Sequence, residues 1–314
     1  MKILVSPLNW GLGHASRCIP LINRFLKEGN DVTIAGDGDS LVHLRQHFPR
    51  LRYIGLPELH LHYAKGQSQM FVLLRQLPHL LHWACCDQMA LRRLLSREHF
   101  DWIISDNRFA FCSPVVRSTY ITHQLHICLP DRWKRLEPLL ERWHRRLMNR
   151  YAEVWVPDYS DERSLSGILS HPKRLPHNVH YIGPLSRFSG LSSTISPDTA
   201  YNTVLLLSGL EPQRTLLEQE IVKRYQGRED SLLVIQGRPR SPFCKFTKGN
   251  ITIVPYLDDA HLAALLLGAE KVIARSGYSS LMDFAALGIL PKCELVPTPG
   301  QPEQEYLAAY SNTL

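Results

Sequence analysis

Two short stretches of the chain bring together residue types that could do chemistry. Near the start, Gly11-Leu12-Gly13-His14-Ala15-Ser16-Arg17 places two glycines, an imidazole and a guanidinium side by side. Far along, Arg275-Ser276-Gly277-Tyr278-Ser279-Ser280 is followed by Asp283. Small residues between a strand and a helix leave backbone N–H groups free at the helix N-terminus, where the dipole also favours an anion. Leu207-Ser208-Gly209-Leu210 is a third junction of this kind. His14, offered into a cleft from the end of the first strand, can take a proton from a hydroxyl near neutral pH. Asp283 lies about one turn inside its helix, beside a phosphate-binding turn, and is placed to accept hydrogen bonds from ribose hydroxyls. Ser279 and Ser280 are expected to cap that helix.

Plainer readings exist for each. His14 could do no more than bond its own loop, Asp283 is favourable near any helix N-terminus, and Arg17 reads as a structural ion-pair partner rather than a ligand. The first junction, with Asp37 near the end of the next strand, superficially matches a dinucleotide fingerprint. Ser16 replaces the third glycine, however, and His14 stands where a pyrophosphate needs close backbone approach.

The elements that must position these residues alternate. "KILVSPL" reads as a buried strand, Leu12 to Lys27 as a helix with Ile19, Ile22, Phe25 and Leu26 on one face, and "DVTIAGD" as a second strand. Glu28-Gly29-Asn30 is the helix stop. "LRYIGLP", "FDWIISDNRF", "STYITHQLHI" and "AEVWVPD" continue the strands, with helices over Met70–Ser96, interrupted near Pro78, and over Asp131–Arg150. This βαβ rhythm predicts a parallel α/β sheet. Residues 184–200, rich in Ser, Gly, Pro and Thr, read as a linker between a domain spanning 1–183 and one spanning 201–314. After it come "TVLLLSG", "SLLVIQG", "ITIVPYL" and "KVIARSG" as strands, and helices near Leu216–Tyr225, Asp259–Leu267 and Ser279–Leu287.

Composition sets the outer bounds. The 314 residues are 44% hydrophobic and 21% charged, as expected of a folded chain with large cores. A net charge of +7, from 36 Lys and Arg against 29 Asp and Glu, favours anionic partners. Seven cysteines without CxxC spacing fit reduced thiols in a cytoplasmic protein. The opening "MKILVSPLNW" lacks a signal-peptide pattern and no run is long enough to cross a bilayer, so any membrane role is expected to be peripheral.

Arg275-Ser276-Gly277, Asp283, Ala285-Ala286, Gly288 and "VPTPGQPEQEYLAA" together resemble the nucleotide-sugar signature of GT-B glycosyltransferases, and within them the family that completes lipid II. The resemblance runs from Gly11, Gly13 and His14 to about Ala309. It implies two Rossmann-like domains facing a cleft, a nucleotide-sugar donor, UDP-linked, a hydroxyl acceptor that could be lipid-linked, and an inverting transfer with no cofactor or metal. It also implies Asp283 on the ribose, Ser276 and Gly277 on the diphosphate, and Gln304 with Glu305 on the donor sugar. Asp283 stands where that family has glutamate, and family chains continue with a final helix crossing back to the first domain, so a shortened C-terminal part is expected. "GHASRC" is in turn similar to the turn of bacterial UDP-sugar hydrolases, in which His14 would activate water. A non-catalytic nucleotide-sugar or nucleic-acid binding protein is the third class.

Other constellations read more simply. Asp37-Gly38-Asp39 imitates a DxD metal motif but is expected to be a turn. His60 with His62, and His79 with His82, lack converging further ligands. "DRWKRLEPLLERWHRRLMNRY" is a basic amphipathic helix, with Trp133, Leu136, Leu140, Trp143 and Leu147 expected to pack on the sheet. Its alternative is contact with an anionic membrane. Without zinc spacings or an RNA-binding aromatic motif, nucleic acid is not the expected partner.

Overall fold

The computed structural model describes residues 1–58, 75–189 and 194–314. Strands β1 (Lys2–Pro7), β2 (Asp31–Gly36), β3 (Arg52–Gly55), β4 (Trp102–Asp106), β5 (Arg117–Ile121), β6 (Glu153–Val156) and β7 (Val179–Tyr181) form a parallel sheet ordered β3-β2-β1-β4-β5-β6-β7. Strands β8 (Thr203–Leu206), β9 (Leu232–Ile235), β10 (Phe246–Lys248), β11 (Ile251–Val254), β12 (Lys271–Arg275) and β13 (Cys293–Val296) form the second sheet, ordered β10-β11-β9-β8-β12-β13. Every pairing is parallel except β10 with β11. In both sheets the order reverses beside the first strand, β1 or β8, and open α/β sheets bind ligands at the carboxyl ends of strands at such switch points. This is the parallel α/β architecture expected from the strand and helix pattern, in the two Rossmann-like units that the resemblance implied.

Helices α1 (Gly13–Lys27), α2 (Gly38–His47), α3 (Leu77–Leu95), α4 (Glu137–Met148), α5 (Gln213–Tyr225), α6 (Asp259–Gly268), α7 (Tyr278–Leu287) and α8 (Pro302–Ser311) surround the sheets. The apolar face of α1 buries Ala15, Cys18, Ile19, Ile22 and Phe25. The same cluster takes in Tyr278, Leu281 and Met282 of α7, so one continuous core crosses from the first sheet's layer to the second's. The Ser/Gly/Pro-rich stretch is also anchored: Leu185 and Ser186 are buried and Phe188 sits in the core beneath the second sheet.

Several elements differ from the sequence pattern. α2 escaped it because its inner face buries Ser40 and His43 beside Leu44, so polar residues hide the amphipathic period. β7 and β10 have three residues each, and β10 is wholly exposed, so neither carries a readable alternation. Asp131–Arg150 is a 3-10 turn over Asp131–Leu136 followed by α4, which starts beside Pro138. Its expected inward stripe is only partly inward: His144, Leu147 and Met148 are buried, whereas Leu136 and Trp143 are exposed. α7 is capped by the backbone of Gly277 without a side-chain hydrogen bond, so Ser279 and Ser280 are not its caps. His60 and His62 lie outside the described residues. No helix among the described residues is long and apolar enough to cross a membrane.

The shared core of α1 and α7 predicts that Leu281→Ala, at a fully buried position, lowers unfolding stability by about 2–5 kcal/mol. Urea denaturation followed by circular dichroism measures it.

Candidate functional site

The carboxyl ends of both sheets face one another across a cavity of about 400 Å³. Gly11, Gly13 and His14 line it from the first sheet, and Ser208, Gly209, Arg275, Gly277, Ser279, Asp283 and Gln304 from the second. Of the residues expected at a site, Ser276 and Glu305 do not line it. Ser276 is fully buried and its Oγ donates to the Gln304 carbonyl at 2.7 Å. The Glu305 carboxylate instead accepts from the Gly300 N–H at 2.9 Å.

The glycine loops meet at the floor of the cleft. Gly11 has φ +81°, which favours glycine, and a Cβ there would lie 3.4 Å from the Gly209 Cα. A Cβ on Gly13 would lie 2.7 Å from Ser279 Oγ. These glycines therefore let the two layers approach as well as exposing the backbone.

His14 opens α1 at the mouth of this floor, and its Nδ1 is 2.8 Å from Asp106 Oδ1. Asp106 is the last residue of β4, adjacent to β1, so the strand order itself delivers the carboxylate. Arg17, one turn along α1, takes both oxygens of the same carboxylate: Nε lies 2.5 Å from Oδ2, and Nη2 bonds Oδ1. Asp106 and Arg17 are fully buried. Burial opposes the charged form of Asp106, but Arg17 and His14 hold its carboxyl down to about 2. For His14, burial and then the Arg17 cation outweigh Asp106 and lower the pKa. Burial and Arg17 thus favour the neutral imidazole, and Nδ1, facing the Asp106 carboxylate, is the nitrogen placed to carry its proton. Among the described residues Nε2 has no hydrogen-bond partner, which leaves its lone pair for a proton.

A second histidine joins the two sides. His123, just beyond β5, stacks on Tyr278 with centroids 4.2 Å apart, and its Nε2 lies 2.8 Å from Glu303 Oε1 at the start of α8. Burial works against the Glu303 charge, yet His123 keeps that carboxyl below its ordinary range. His47 on α2 makes a comparable bridge to Asp259 of α6, at 2.8 Å.

Two charged residues mark the second-sheet side. Asp283 is buried, accepting from Ser186 Oγ at 2.6 Å and pairing with Arg187 Nε at 3.2 Å. Burial pushes its pKa up in spite of Arg187. Arg275, 5% exposed at the end of β12, donates to the carbonyls of Pro297 and Gln213. Its Nε has no partner, and among the described residues no carboxylate lies within 4.0 Å of it. Burial lowers the Arg275 pKa, with only the more distant Glu220 carboxylate opposing it, so an anion in the cleft would offset the cost of burying this cation.

Sequence reasoning missed Asp106, His123, Arg187 and Glu303. Only Asp106 carried a readable signal, as an acid ending a strand. The DxD-like acids are engaged elsewhere: Asp37 pairs with buried Arg108 at 2.7 Å, and Asp39 with Arg240 at 2.6 Å. They flank the start of α2 rather than form a simple turn. His82 faces Cys86 on its own helix.

Asp106 has a lower pKa folded, about 2, than its ordinary 3.8, so it stabilises the fold above that ordinary value and the contribution is lost as pH falls through the folded one. The stability difference between wild type and Asp106→Asn should therefore shrink as pH falls from 3.8 toward about 2. Urea titrations at fixed pH values test this; a pH-independent difference would contradict the ion-pair assignment.

No protein-family model and no curated protein matches the chain. Solved structures do. The glycotransferase of kitacinnamycin superposes with a TM-score of 0.61 at 16% identity, covering 99% of this chain and 84% of that one. Spinosyn rhamnosyltransferase SpnG, complexed with thymidine diphosphate, gives 0.59 at 15% identity, covering 100% and 84%. A putative UDP-N-acetylglucosamine 2-epimerase from Listeria monocytogenes gives 0.56 at 15% identity, covering 99% and 86%. The chain has the GT-B fold, two Rossmann-like units facing a cleft, that these proteins share.

Proposed function

We propose that this protein is a glycosyltransferase that moves a sugar, with inversion, from a nucleotide donor, UDP-linked, to a hydroxyl acceptor. The observation that carries the reading is His14, hydrogen-bonded through Nδ1 to Asp106 and lining a cleft whose opposite wall holds the buried Arg275, its Nε without a hydrogen-bond partner. The acceptor hydroxyl gives its proton to His14 Nε2 while its oxygen attacks the anomeric carbon from the face opposite the leaving group. The bond from that carbon to the diphosphate oxygen breaks, and the nucleoside diphosphate leaves with the electron pair. Arg275 and the N–H groups at the starts of α5 and α7 supply the positive potential the leaving group needs. In this reading the ribose lies toward Asp283, Ser208 and Gly209 approach the phosphates with Gly277, and Gln304 faces the donor sugar. Ser276 acts from behind through the Gln304 carbonyl and Glu305 by shaping the Gly300 turn.

The fold also serves an epimerase among its neighbours, and water in place of the acceptor would make the same site a hydrolase. Products decide between these. Incubation with UDP-glucose or UDP-N-acetylglucosamine should yield little free sugar without an acceptor. His14→Ala should cut turnover by roughly 10²–10⁴-fold, the range for a general base, with UDP affinity by calorimetry unchanged. Arg275→Ala should weaken UDP binding. An unaffected rate in His14→Ala removes the base from the mechanism.

The acceptor side favours a lipid-linked hydroxyl met at the inner face of a membrane. Leu136, Leu139 and Trp143 are 46%, 68% and 51% exposed, amid Arg132, Arg135, Arg142 and Arg146, none of which has a carboxylate within 4.0 Å among the described residues. Glu137 and Glu141 turn inward to His126. An apolar row rimmed by cations without carboxylate partners matches an anionic bilayer surface. The protein should co-sediment with phosphatidylglycerol vesicles and not with phosphatidylcholine vesicles, and Leu139→Ser/Trp143→Ser should abolish this; equal binding to both would count against the surface.

A further inference from the structure

We propose that Arg17 is a positioning residue for the proton transfer, holding His14 as a neutral acceptor by occupying both oxygens of the Asp106 carboxylate. The proposal takes His14 to be the base, as above, and adds the group that sets its protonation.

The geometry is that of one carboxylate shared among several donors. Asp106 accepts from His14 Nδ1, from Nε and Nη2 of Arg17, and from Cys18 Sγ at 3.6 Å. An aspartate facing only a histidine favours the imidazolium, because each charge then stabilises the other. An imidazolium donates from both nitrogens and has no lone pair for an incoming proton. Arg17 removes that incentive: it cannot deprotonate, and it neutralises Asp106 permanently. Its cation also lies on the same helix as His14, one turn away, and repels a second positive charge there.

The other groups facing His14 agree with this division. His123, from beyond β5, is 3.5 Å from Arg17 Nη1 through its Nδ1 and reaches Glu303 of α8 through its Nε2. The Glu303 carboxylate is thus engaged by His123, while Asp106 is left to orient the His14 ring through Nδ1. Burial and the Arg17 charge together keep the His14 pKa below its ordinary 6.5.

The test is the titration of His14 by NMR in the intact protein labelled with ¹⁵N-histidine, which needs no turnover. In wild type the His14 inflection should fall below 6.5, with the proton on Nδ1. Arg17→Gln should move it upward and carry the acid limb of kcat/KM with it, whereas Arg17→Lys, which keeps the charge but not the grip on both oxygens, should move it less. An unmoved inflection in Arg17→Gln overturns the proposal. If Arg17→Gln does not fold, the wild-type value still decides: an inflection above 6.5 overturns it. A chain with the predicted titration but no transfer to any acceptor would count against the transferase reading and leave Arg17's role standing.

Discussion

The site depends on one buried negative charge. Asp106 has no access to solvent, and a carboxylate there survives only if it is paired and hydrogen-bonded. Arg17 and His14 satisfy it from α1, and these contacts tie the helix to the end of β4 beside the apolar packing. The same contacts orient the imidazole and select its tautomer. Local structure and chemistry thus share a cause, since the interaction that lets a charge be buried at the end of β4 also aims the His14 lone pair at the cleft.

The two halves of the molecule are joined through the very helices that bear the candidate groups His14 and Asp283. α1 and α7 begin at glycine loops, pack on each other through Cys18, Ile19, Leu281 and Met282, and place their N-termini on opposite sides of the same opening. Close approach is possible because Gly13 carries no Cβ to strike Ser279. His47 with Asp259 and His123 with Glu303 fasten the seam at either side. A ligand between the sheets is therefore surrounded by groups whose separation is set by packing rather than by loops.

The local rhythm of this architecture was legible because strands such as "KILVSPL" and "TVLLLSG" are short continuous apolar runs between glycine turns, the signature of buried parallel strands. His14 and Asp283 stood out because each follows a glycine turn at a strand end. Asp106 and Glu303 did not, because their meaning comes from non-local contacts: Asp106 matters through β1 lying beside β4, and Glu303 through a histidine from the other sheet. Arg187 was hidden in a stretch whose small residues suggested a tether, although Ser186 and Phe188 are buried against the second unit. Asp131–Arg150 misled in the opposite sense, since its periodic apolar residues look core-directed while Leu136 and Trp143 face outward.

In the proposed transfer, His14 addresses the reacting carbon of a donor held by the opposite sheet. A crystal structure of the protein with UDP-glucose or UDP-N-acetylglucosamine tests it most directly. The diphosphate should lie against Arg275 and the Gly277 turn, with the anomeric carbon roughly 5–6 Å from His14 Nε2, leaving room for one hydroxyl oxygen between them. A nucleotide bound with its sugar turned away from His14, or bound outside the cleft, would contradict the account.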